Sequence, residues 1–556
     1  MKEGENGKYF RSLKHKHFKK ICLGTQTFKF LRENDFLYVD KTKEIYNLLN
    51  NEKIVFLSRP RRFGKSLLVS TLKSLFLGNK EFFKGLYIYD KWDWDEQYSV
   101  IHLDMSDLEN SSTEELKLDL ENTIETVAKS YNIILDDKIS VRKKFSNLIM
   151  ELYNSTGEKV VVLIDEYDAP ILDNINNEEL ADANREVIES FYRALKNKDE
   201  YLRFVFITGI SKFTHTSIFS KLNNPTDISL SNKYSTICGI THEELTDYCS
   251  HYIQFLADGE NMDYNAALNE INHWYDGYSF DGEHNVFNPY STLSALKSGE
   301  FSHYWFGTGT PHFLVDILKN REETIDFDDM IINKKDLNEI DPDDIGDLPL
   351  LFQGGYLTID NKFKNEQNET EYSLKIPNFE VKQAYKDNLI NFYLSEVEED
   401  ILDFQDELWE DIKNGDCESL TNYLEIQLGE IPYYLNITTR NDRWKVKQTI
   451  FLLLLKNMGF KIRSEVPINQ GRIDAIFRDK KQIVITEVKY TQDQKKSIDT
   501  LVDSALNQIH TKQYYRLYKN KKYNVILLAI AFKDTKINKK DTVTEVKCKI
   551  EKLNHE

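Results

Sequence analysis

The sequence predicts an α/β protein of about three domains: an N-terminal parallel sheet with helices, a mostly helical middle region and a C-terminal α/β domain. Its 556 residues exceed the ~250–300 at which a single hydrophobic core stops growing. Short apolar runs alternate with longer helix-like segments near the N-terminus, and the alternation returns close to the C-terminus. The expected parts are a basic segment (1–27), a sheet domain (28–235), a helical middle (236–435) and a C-terminal domain (436–556).

The composition is that of a globular protein without a membrane-spanning segment. Hydrophobic residues make up 40% and charged residues 29%, with 22 Gly and 10 Pro, so the chain has enough apolar surface to fold. The longest apolar stretches, such as 450–455, are far shorter than the ~20 residues that cross a bilayer, and the basic start has no apolar signal core. Five scattered cysteines form no C-x-x-C pair and favour a reducing compartment. We therefore expect a cytoplasmic protein with no membrane partner.

The net charge of −19 is unevenly distributed along the chain. Residues 440–556 hold 26 Lys and Arg against 13 Asp and Glu, a net of +13, whereas the preceding residues hold 46 against 78, a net of −32. A basic surface attracts phosphate backbones without regard to their sequence. A lysine-rich solvated face gives the same count, so charge alone is weak support for a nucleic-acid partner.

The N-terminal domain is predicted to hold a parallel sheet. Four runs are short, rich in β-branched and aromatic residues, and show little alternation, which suits strands buried on both faces. They are 53–58, 99–105, 160–165 and 203–209. Longer segments with helical spacing lie between them, so a series of β-α-β units is the economical interpretation.

The rest of the chain divides into a helical part and a mixed part. Residues 236–435 are mostly helical by composition, with turn-forming stretches and with acidic clusters that a solvated surface explains. After residue 440 we expect a helix, three strands, a helix and a strand. These predicted elements are 444–457, 461–467, 471–478, 482–490, 497–518 and 524–532.

The first motif with chemistry is the run Arg-Pro-Arg-Arg-Phe-Gly-Lys-Ser at 59–66, which follows a strand and opens a helix. A phosphate-binding Walker A loop reads G-x-x-x-x-G-K-[ST], and here Arg59 occupies the first Gly position. Gly64 would let backbone N–H groups approach phosphates, Lys65 would reach the β/γ oxygens, and the Ser66 hydroxyl would ligate Mg²⁺. The alternative is a basic loop with an accidental Gly-Lys-Ser. The candidate nucleotide contacts are Arg62, Phe63, Gly64, Lys65, Ser66 and Leu67.

A second motif favours the phosphate-loop interpretation. The apolar run 160–164 ends in Asp165 and Glu166, as in a Walker B segment, where the Asp holds Mg²⁺ and the Glu activates the hydrolytic water. Two acids that end a strand also suit an ordinary turn, but less so when a Gly-Lys-Ser loop precedes them. The next strand ends at Thr208, where related ATPases place a polar sensor of the γ-phosphate.

These residues resemble the AAA-ATPase-like family of prokaryotic and some eukaryotic proteins. The resemblance covers roughly 25–235 and is carried by YVDKT, RPRRFGKSLL, VVVLIDEYDAPI and the blocks TGISKF and LNNPTDISL. In that family the RPRRFGKS loop is itself characteristic. The resemblance implies a P-loop NTPase domain with ATP and Mg²⁺ as cofactors: Lys65 and Ser66 contact the nucleotide, Ser66 and Asp165 the metal, and Glu166 the water. It allows a homo-oligomer, and Arg61, Arg62 and Arg203 are arginine-finger candidates by charge only.

The third constellation lies in the basic C-terminal part. Asp474 precedes Glu487 and Lys489, and strand alternation places the last two on one face. Asp474 and Glu487 could jointly bind Mg²⁺, while Lys489 would orient or deprotonate the attacking water beside a phosphodiester. The alternative is a surface Glu/Lys pair on two neighbouring strands, which is very common.

The order of elements and these three residues resemble the PD-(D/E)XK nuclease superfamily, in the branch often fused to the ATPase family above. The resemblance implies a restriction-endonuclease-like fold, with Gln508 and Tyr514 flanking the site. Family members often carry a Glu on the first helix. Here that neighbourhood holds Trp444, Lys445 and Lys447, with Asp442 as the nearest acid.

We therefore expect a hydrolase, an ATPase that gates or accompanies Mg²⁺-dependent cleavage of nucleic acid, with DNA as the expected form. The alternative is a non-catalytic, ATP-regulated signalling or binding protein whose C-terminal domain only binds nucleic acid or a protein partner. A third hypothesis, an ATPase that acts on proteins, is disfavoured by the +13 of residues 440–556.

Overall fold

A computed structural model describes two compact units of this chain. The described residues are 19–175, 177–196, 198–212, 225–305, 330–338, 347–384, 409–430, 448, 451–452, 455, 461–468, 471–478, 482–519, 524–536 and 542–553. The first unit holds the described residues up to Ala384 and the second those from Trp409 onward. Within these ranges no helix has both the length and the apolar character needed to span a bilayer.

The first unit is built on a parallel sheet, as the sequence predicts. Its strands are β1 (Ile54–Ser58), β2 (Val100–Asp104), β3 (Val160–Asp165), β4 (Leu202–Gly209) and β5 (Thr226–Asp227). The order in the sheet is β2-β3-β4-β1-β5, and every pair is parallel. All six residues of β3 are buried, because helices cover both faces of such a sheet.

Helices connect and cover these strands. They are α1 (Phe28–Glu33), α2 (Thr42–Asn51), α3 (Lys65–Phe76), α4 (Thr113–Ser130), α5 (Val141–Thr156), α6 (Ala169–Leu172) and α7 (Glu178–Tyr192). Leu116, Leu120 and Ile124 of α4 recur at helical spacing and are buried in one core with Ile101 and Val162 of the sheet. This core fixes the positions of the strand ends from which the candidate site is built.

The middle region combines helices with small antiparallel sheets that the sequence analysis did not predict. Its helices are α8 (His242–Gly259), α9 (Tyr264–Tyr275), α10 (Pro289–Ser298), α11 (Lys334–Asn338) and α12 (Asp347–Gly354). Its strands are β6 (Tyr278–Ser279), β7 (Asn285–Val286), β8 (Ile331–Asn333), β9 (Thr358–Lys364) and β10 (Thr370–Lys375). The β6–β7 ribbon and the β8-β10-β9 sheet are antiparallel. The strands are two to seven residues long and rich in polar side chains, so they lack a strong apolar signal.

The middle region packs onto the sheet of the first unit. Phe63, from the loop after β1, lies against Tyr278 and Phe280, with ring centroids 4.8 and 5.5 Å apart. Pro60 of the same loop packs so closely on Gly355 that a Cβ there would lie 2.9 Å from the Pro60 ring. For this reason the structure places no division between units near residue 235. The predicted boundaries between the three domains therefore remain a proposal about how the sequence is organised.

The second unit is a mixed sheet covered by helices. Its strands are β11 (Lys461–Ile468), β12 (Gly471–Arg478), β13 (Gln482–Thr491), β14 (Asn524–Lys536) and β15 (Thr542–Leu553), and its helices are α13 (Glu418–Glu430), α14 (Ile498–Thr511) and α15 (Arg516–Lys519). The strands follow one another in chain order, and only the β13–β14 pair is parallel. The helix α14 provides the crossover that a parallel pair requires.

The two faces of this second sheet carry separate cores. Leu420 and Leu424 of α13 pack with Val484 and Leu528 on one face, while α14 packs on the other through Val502 and neighbours. The predicted strands agree with the structure, and β15 is an additional edge strand. The predicted helix 497–518 is instead two helices, α14 and the short α15, with a turn between them at 512–515. Of the predicted helix 444–457, the structure describes four helical residues (448, 451, 452 and 455).

Candidate active sites

The loop between β1 and α3 has the backbone conformation of a tight phosphate-binding turn. Gly64 caps α3 with φ +92° and ψ 20°, and Arg62 has φ +71°. A side chain at Gly64 would meet nothing within 4 Å, so glycine is favoured there by its left-handed conformation and not by crowding. The twelve-residue helix α3 therefore starts with free N–H groups directed at the loop, the arrangement that binds phosphate.

Lys65, the first residue of α3, lies inside this loop. Its side chain is 3% exposed, and Nζ donates hydrogen bonds to the carbonyl oxygens of Arg59 (3.0 Å) and Pro60 (3.4 Å). Nζ also lies 3.5 Å from Oε1 of Glu166. The two charged groups that the sequence assigns to phosphate and water are thus neighbours.

Arg59 explains how an arginine can replace the first Walker A glycine. The residue is 1% exposed, and its guanidinium points away from the loop. It donates to the carbonyls of Ser58 (2.9 Å) and Ser229 (2.7 Å) and stacks 3.9 Å from the centroid of the Phe280 ring. Burial lowers its pKa to about 10, which leaves it protonated at neutral pH. The Arg59 side chain therefore packs behind the loop and does not line its phosphate-binding side.

Asp165 and Ser66 meet beside the loop. Asp165 ends β3 and is 2% exposed, and the Ser66 side chain lies near its carboxylate. Burial raises the pKa of Asp165 to about 6, and the Ser66 side chain opposes that rise. An alcohol and a carboxylate of this kind form a hard oxygen donor set suited to Mg²⁺. The geometry brings these two residues together, and their metal role remains a prediction.

Glu166 follows directly in an uncommon conformation. Its φ is +48°, which is rare for a residue other than glycine and occurs most often at functional sites. Its N–H donates to Oδ1 of Asp165 (3.0 Å), and its side chain remains 21% exposed. The turn thus directs the carboxylate out of the strand and toward the side of the loop where water can enter.

Asp168 is a residue of this site to which the sequence analysis gave no role. It is fully buried, and Oδ2 accepts the N–H groups of Ile210 (3.0 Å) and Ser211 (2.6 Å) after β4. Burial, and then the charge of Glu166, raises its pKa to about 7. The signal was present, because Asp168 lies within the VVVLIDEYDAPI block, but its partner lies about forty residues away in sequence.

The proposed sensor Thr208 is buried between two strands. Its hydroxyl donates to the carbonyl of Leu57 on β1 (2.7 Å), so this hydroxyl joins β4 to the strand that carries the loop. A sensor role remains a prediction. Arg203 lies at the opposite end of β4, with its guanidinium 5.9 Å from the Tyr98 ring centroid. Within this chain, Arg203 is therefore remote from the phosphate loop.

A cavity of about 720 Å³ opens over the loop. Its floor includes Gly64, Lys65, Ser66 and Leu67, and Glu166 lies at its side. The opposite wall is formed by 22–26, 237–240 and Tyr290, over whose ring the Arg62 guanidinium lies at 4.8 Å. A cavity of this size suits a small ligand such as a nucleotide.

The second candidate site lies where β12 and β13 separate. Their pairing runs as far as Ala475 opposite Thr486. Beyond that pair, Oδ2 of Asp474 accepts the N–H of Val488 (2.7 Å). This hydrogen bond fixes the carboxylate of Asp474 next to Glu487.

Glu487 is the buried acid of this site. It is 2% exposed, and its Oε1 accepts hydrogen bonds from Nζ of Lys489 (2.7 Å) and from Gln508. Its buried Oε2 has no hydrogen-bond partner among the described residues. Burial and the nearby Asp474 raise the pKa of Glu487 to about 7. A buried carboxylate oxygen without a partner is costly, and a bound cation would remove that cost.

Gln508 and Tyr514 connect α14 and the turn after it to this pair. Lys489 Nζ also donates to Oε1 of Gln508 (2.7 Å), and Gln508 Nε2 donates to the Tyr514 hydroxyl (3.2 Å). That hydroxyl in turn donates to the carbonyl of Arg472 (2.9 Å). The four predicted residues Asp474, Glu487, Lys489 and Gln508 therefore form one contiguous group.

The donor set for a metal is partial in the described part of the chain. No cluster of three or more His, Cys, Asp or Glu placed to hold a metal occurs there, and the site presents Asp474 and Glu487. Asp442 and the other first-helix positions, Trp444, Lys445 and Lys447, lie outside the described residues. Two hard carboxylates with one unpartnered oxygen fit Mg²⁺ or Mn²⁺ with additional water ligands.

The charge balance depends on where the C-terminal unit begins. The structure divides the chain at Tyr385, and residues 385–439 hold 2 Lys and Arg against 14 Asp and Glu. From 385 to 556 the totals are 28 and 27, a net of +1. The net charge of this unit therefore gives no support for a nucleic-acid partner, and only a local cluster of cations would attract phosphates. One such cation is Lys512, whose charge acts on Glu487.

Comparisons with known proteins agree with this architecture. The family described as predicted AAA-ATPase matches residues 22–219, and the PD-(D/E)XK nuclease superfamily matches 445–542. The "Uncharacterized protein in vnfD 5'region" of Azotobacter chroococcum mcd 1 is 33% identical over 527 residues, which are 92% of this chain and 96% of that protein. The crystal structure of Cdc6p from Pyrobaculum aerophilum matches at TM-score 0.22 and 12% identity, over 67% of this chain and 95% of that one.

Proposed function

This chain belongs to the AAA-ATPase-like family and carries a C-terminal PD-(D/E)XK nuclease superfamily domain, and from that premise we propose that ATP hydrolysis in its first unit gates metal-dependent cleavage of nucleic acid by its second. DNA is the proposed substrate. The single observation that carries the proposal is the contiguous group of Asp474, Glu487, Lys489 and Gln508. A solvated strand pair would not bury Glu487 to 2% exposure.

For the ATPase reaction, we propose that the N–H groups at the start of α3 bind the phosphates and that Lys65 moves from the loop carbonyls to the β/γ oxygens. Glu166 then accepts a proton from the attacking water, since its carboxylate lies at the loop and is partly open to solvent. Ser66 and Asp165 would hold a metal ion, which would neutralise charge on the phosphates. Asp168 fixes the segment after β4, so it acts as a positioning residue.

For the nuclease reaction, Asp474 and Glu487 would hold a metal ion, which would stabilise the charge that develops on the phosphate. Lys489 orients the attacking water, and Gln508 keeps the ammonium of Lys489 near Glu487 through its own hydrogen bond. Tyr514 fixes Gln508 from the other side. Each side chain of the group therefore has a partner that restricts its orientation, as an active site requires.

An ATP-regulated binding protein is the second candidate function. The observation that favours it is the partial metal shell, because the described residues supply two carboxylates. In this alternative the C-terminal unit binds nucleic acid or a protein without cutting.

The test is incubation of the purified chain with plasmid, single-stranded DNA and RNA, with and without Mg²⁺ or Mn²⁺ and ATP. We expect metal-dependent cleavage that Asp474→Asn abolishes, because the substitution keeps the shape but removes the charge that a hard cation needs. Asp503→Asn is the matched control, since Asp503 is 51% exposed on α14 and pairs with Lys549. A wild-type chain that binds DNA and cuts nothing under any condition would favour the binding protein.

A further inference from the structure

Two cysteines that are 131 residues apart in sequence lie side by side in the second unit. Cys417 precedes α13 and Cys548 lies on β15, and both thiols are free. Cys548 Sγ donates a hydrogen bond to the carbonyl of Cys417 (3.5 Å), and both side chains pack in the same core. Thiols in such contact need little backbone movement to form a disulfide.

The two thiols differ in environment. Cys417 is half-buried, whereas Cys548 is 6% exposed. The Cys417 carbonyl accepts the Thr421 N–H (2.9 Å), so Cys417 caps the thirteen-residue helix α13, where the helix dipole favours a thiolate. The interaction with the Cys548 thiol, aided by the Ile550 N–H, lowers the pKa of the Cys417 thiol, and the same interaction raises the pKa of Cys548. A more acidic, more accessible thiol beside a buried one is the arrangement of a sensing and a resolving cysteine.

We propose that Cys417 and Cys548 are a reversible oxidation site that takes hydrogen peroxide as its oxidant. The thiolate of Cys417 attacks one peroxide oxygen and breaks the O–O bond, which gives a sulfenic acid and, with one proton, water. The sulfur of Cys548 loses its proton and attacks the Cys417 sulfur, and the hydroxyl leaves as a second water. The two sulfurs together lose two electrons, and the peroxide gains them.

The disulfide would tie α13 to the edge of the second sheet. The strand β15 is the last in the order of strands, and α13 already covers it. Oε1 of Glu425 accepts the Val546 N–H (2.9 Å), and Leu420 and Leu424 pack in the core with Cys548. Oxidation would therefore fix the start of α13 covalently to the edge strand that it already covers.

The experiment uses the full wild-type chain. It is treated with a few equivalents of hydrogen peroxide, its remaining thiols are alkylated, and it is digested without reduction for mass spectrometry. We expect one cross-linked peptide pair that contains Cys417 and Cys548, a fall in free thiols from five to three, and reversal by dithiothreitol. Amides of α13 near Thr421 should exchange hydrogen more slowly in the oxidised protein.

Variants separate the roles of the two thiols. Cys548→Ser should leave a sulfenic acid at Cys417 that dimedone traps, and Cys417→Ser should abolish both the cross-link and the dimedone adduct. Cys22→Ser, which removes a half-buried thiol of the first unit, should keep the cross-link. Absence of the Cys417–Cys548 peptide from oxidised wild type, or dimedone labelling at another cysteine in Cys548→Ser, would overturn the proposal. Neither result depends on ATPase or nuclease activity.

Discussion

Lys65 and Glu166 are neighbours, but substitutions at the two positions should have different effects on ATP binding and ATP turnover. Lys65→Ala removes the cation that lies within the loop, so it should abolish nucleotide binding measured by calorimetry. Glu166→Gln keeps the size of the side chain and removes only its basicity, so ATP should still bind while turnover falls by a factor of ~10²–10⁴. Lys117→Ala, at an exposed position of α4, is the control. A folded wild-type chain without affinity for ATP would contradict the phosphate-loop assignment.

The raised pKa of Glu487 makes stability depend on pH. Its pKa is raised from 4.5 to about 7 by burial and by Asp474, so the folded state holds this proton more tightly than the unfolded state. The stabilisation is fully present below pH 4.5 and is lost as the pH rises through 7. Between pH 5 and pH 8 the wild-type chain should therefore lose ~2–3 kcal/mol through this group.

The substitution Glu487→Gln isolates that loss. At pH 5 the side chain at position 487 is neutral in both the wild type and the variant. The difference in their free energies of unfolding at this pH therefore measures the effect of replacing a protonated carboxyl group by an amide. At pH 8 the variant should gain stability relative to wild type, as measured by denaturant unfolding of the C-terminal transition. Other acids with raised pKa values, such as Asp168, cancel in the comparison. An equal difference in stability at both pH values would show that Glu487 ionises normally.

At the scale of elements, the first candidate site depends on how closely the ends of β3 and β4 approach. A Cβ at Gly209, the last residue of β4, would lie 2.3 Å from Oδ1 of Asp168 and 2.7 Å from the Tyr167 ring. Gly209→Ala should therefore push these two strand ends apart and destabilise the first unit by ~1–3 kcal/mol. Gly259→Ala, where the added carbon meets its nearest atom at 3.4 Å, should change stability by much less. Thermal unfolding of both variants measures the difference.

The same elements show what the sequence can and cannot predict. The apolar runs 160–165 and 203–209 agree with β3 and β4 to within one residue, because strands buried on both faces leave a continuous apolar signal. The short polar strands of the middle region leave no such signal. The direction of the Arg59 side chain and the contact of Asp168 with Ser211 depend on residues distant in sequence, which no local pattern encodes.

At the scale of the whole molecule, the core of the second unit includes residues that precede the predicted start of the C-terminal domain at 436. Trp409, Ile412, Leu420 and Leu424 precede residue 436 but are buried with Phe477 and Leu528. Loss of each large core side chain costs ~2–5 kcal/mol, and a domain is stable by only ~5–15 kcal/mol. A fragment 440–556 should therefore fail to fold, whereas 385–556 should fold. Circular dichroism melting compares the two, and a cooperative transition in 440–556 would contradict the unit boundary.

The unit boundary at Tyr385 also changes the net charge of the C-terminal unit, and with it the charge argument for DNA binding. The fragment 385–556 has a net charge of +1, so the proposed DNA binding requires cations clustered at the site. Lys512 is a candidate because its charge reaches Glu487, and in the full chain its replacement by Ala should weaken DNA binding and reduce the slope of log affinity against log salt by about 1. Lys549→Ala is the control, since Lys549 is already paired with Asp503. If both variants bind DNA like wild type while the affinity stays salt-dependent, other residues of the chain contact the DNA phosphates. If salt has no effect on wild type, the basic residues after 440 are a solvated surface, and the C-terminal unit acts on another partner.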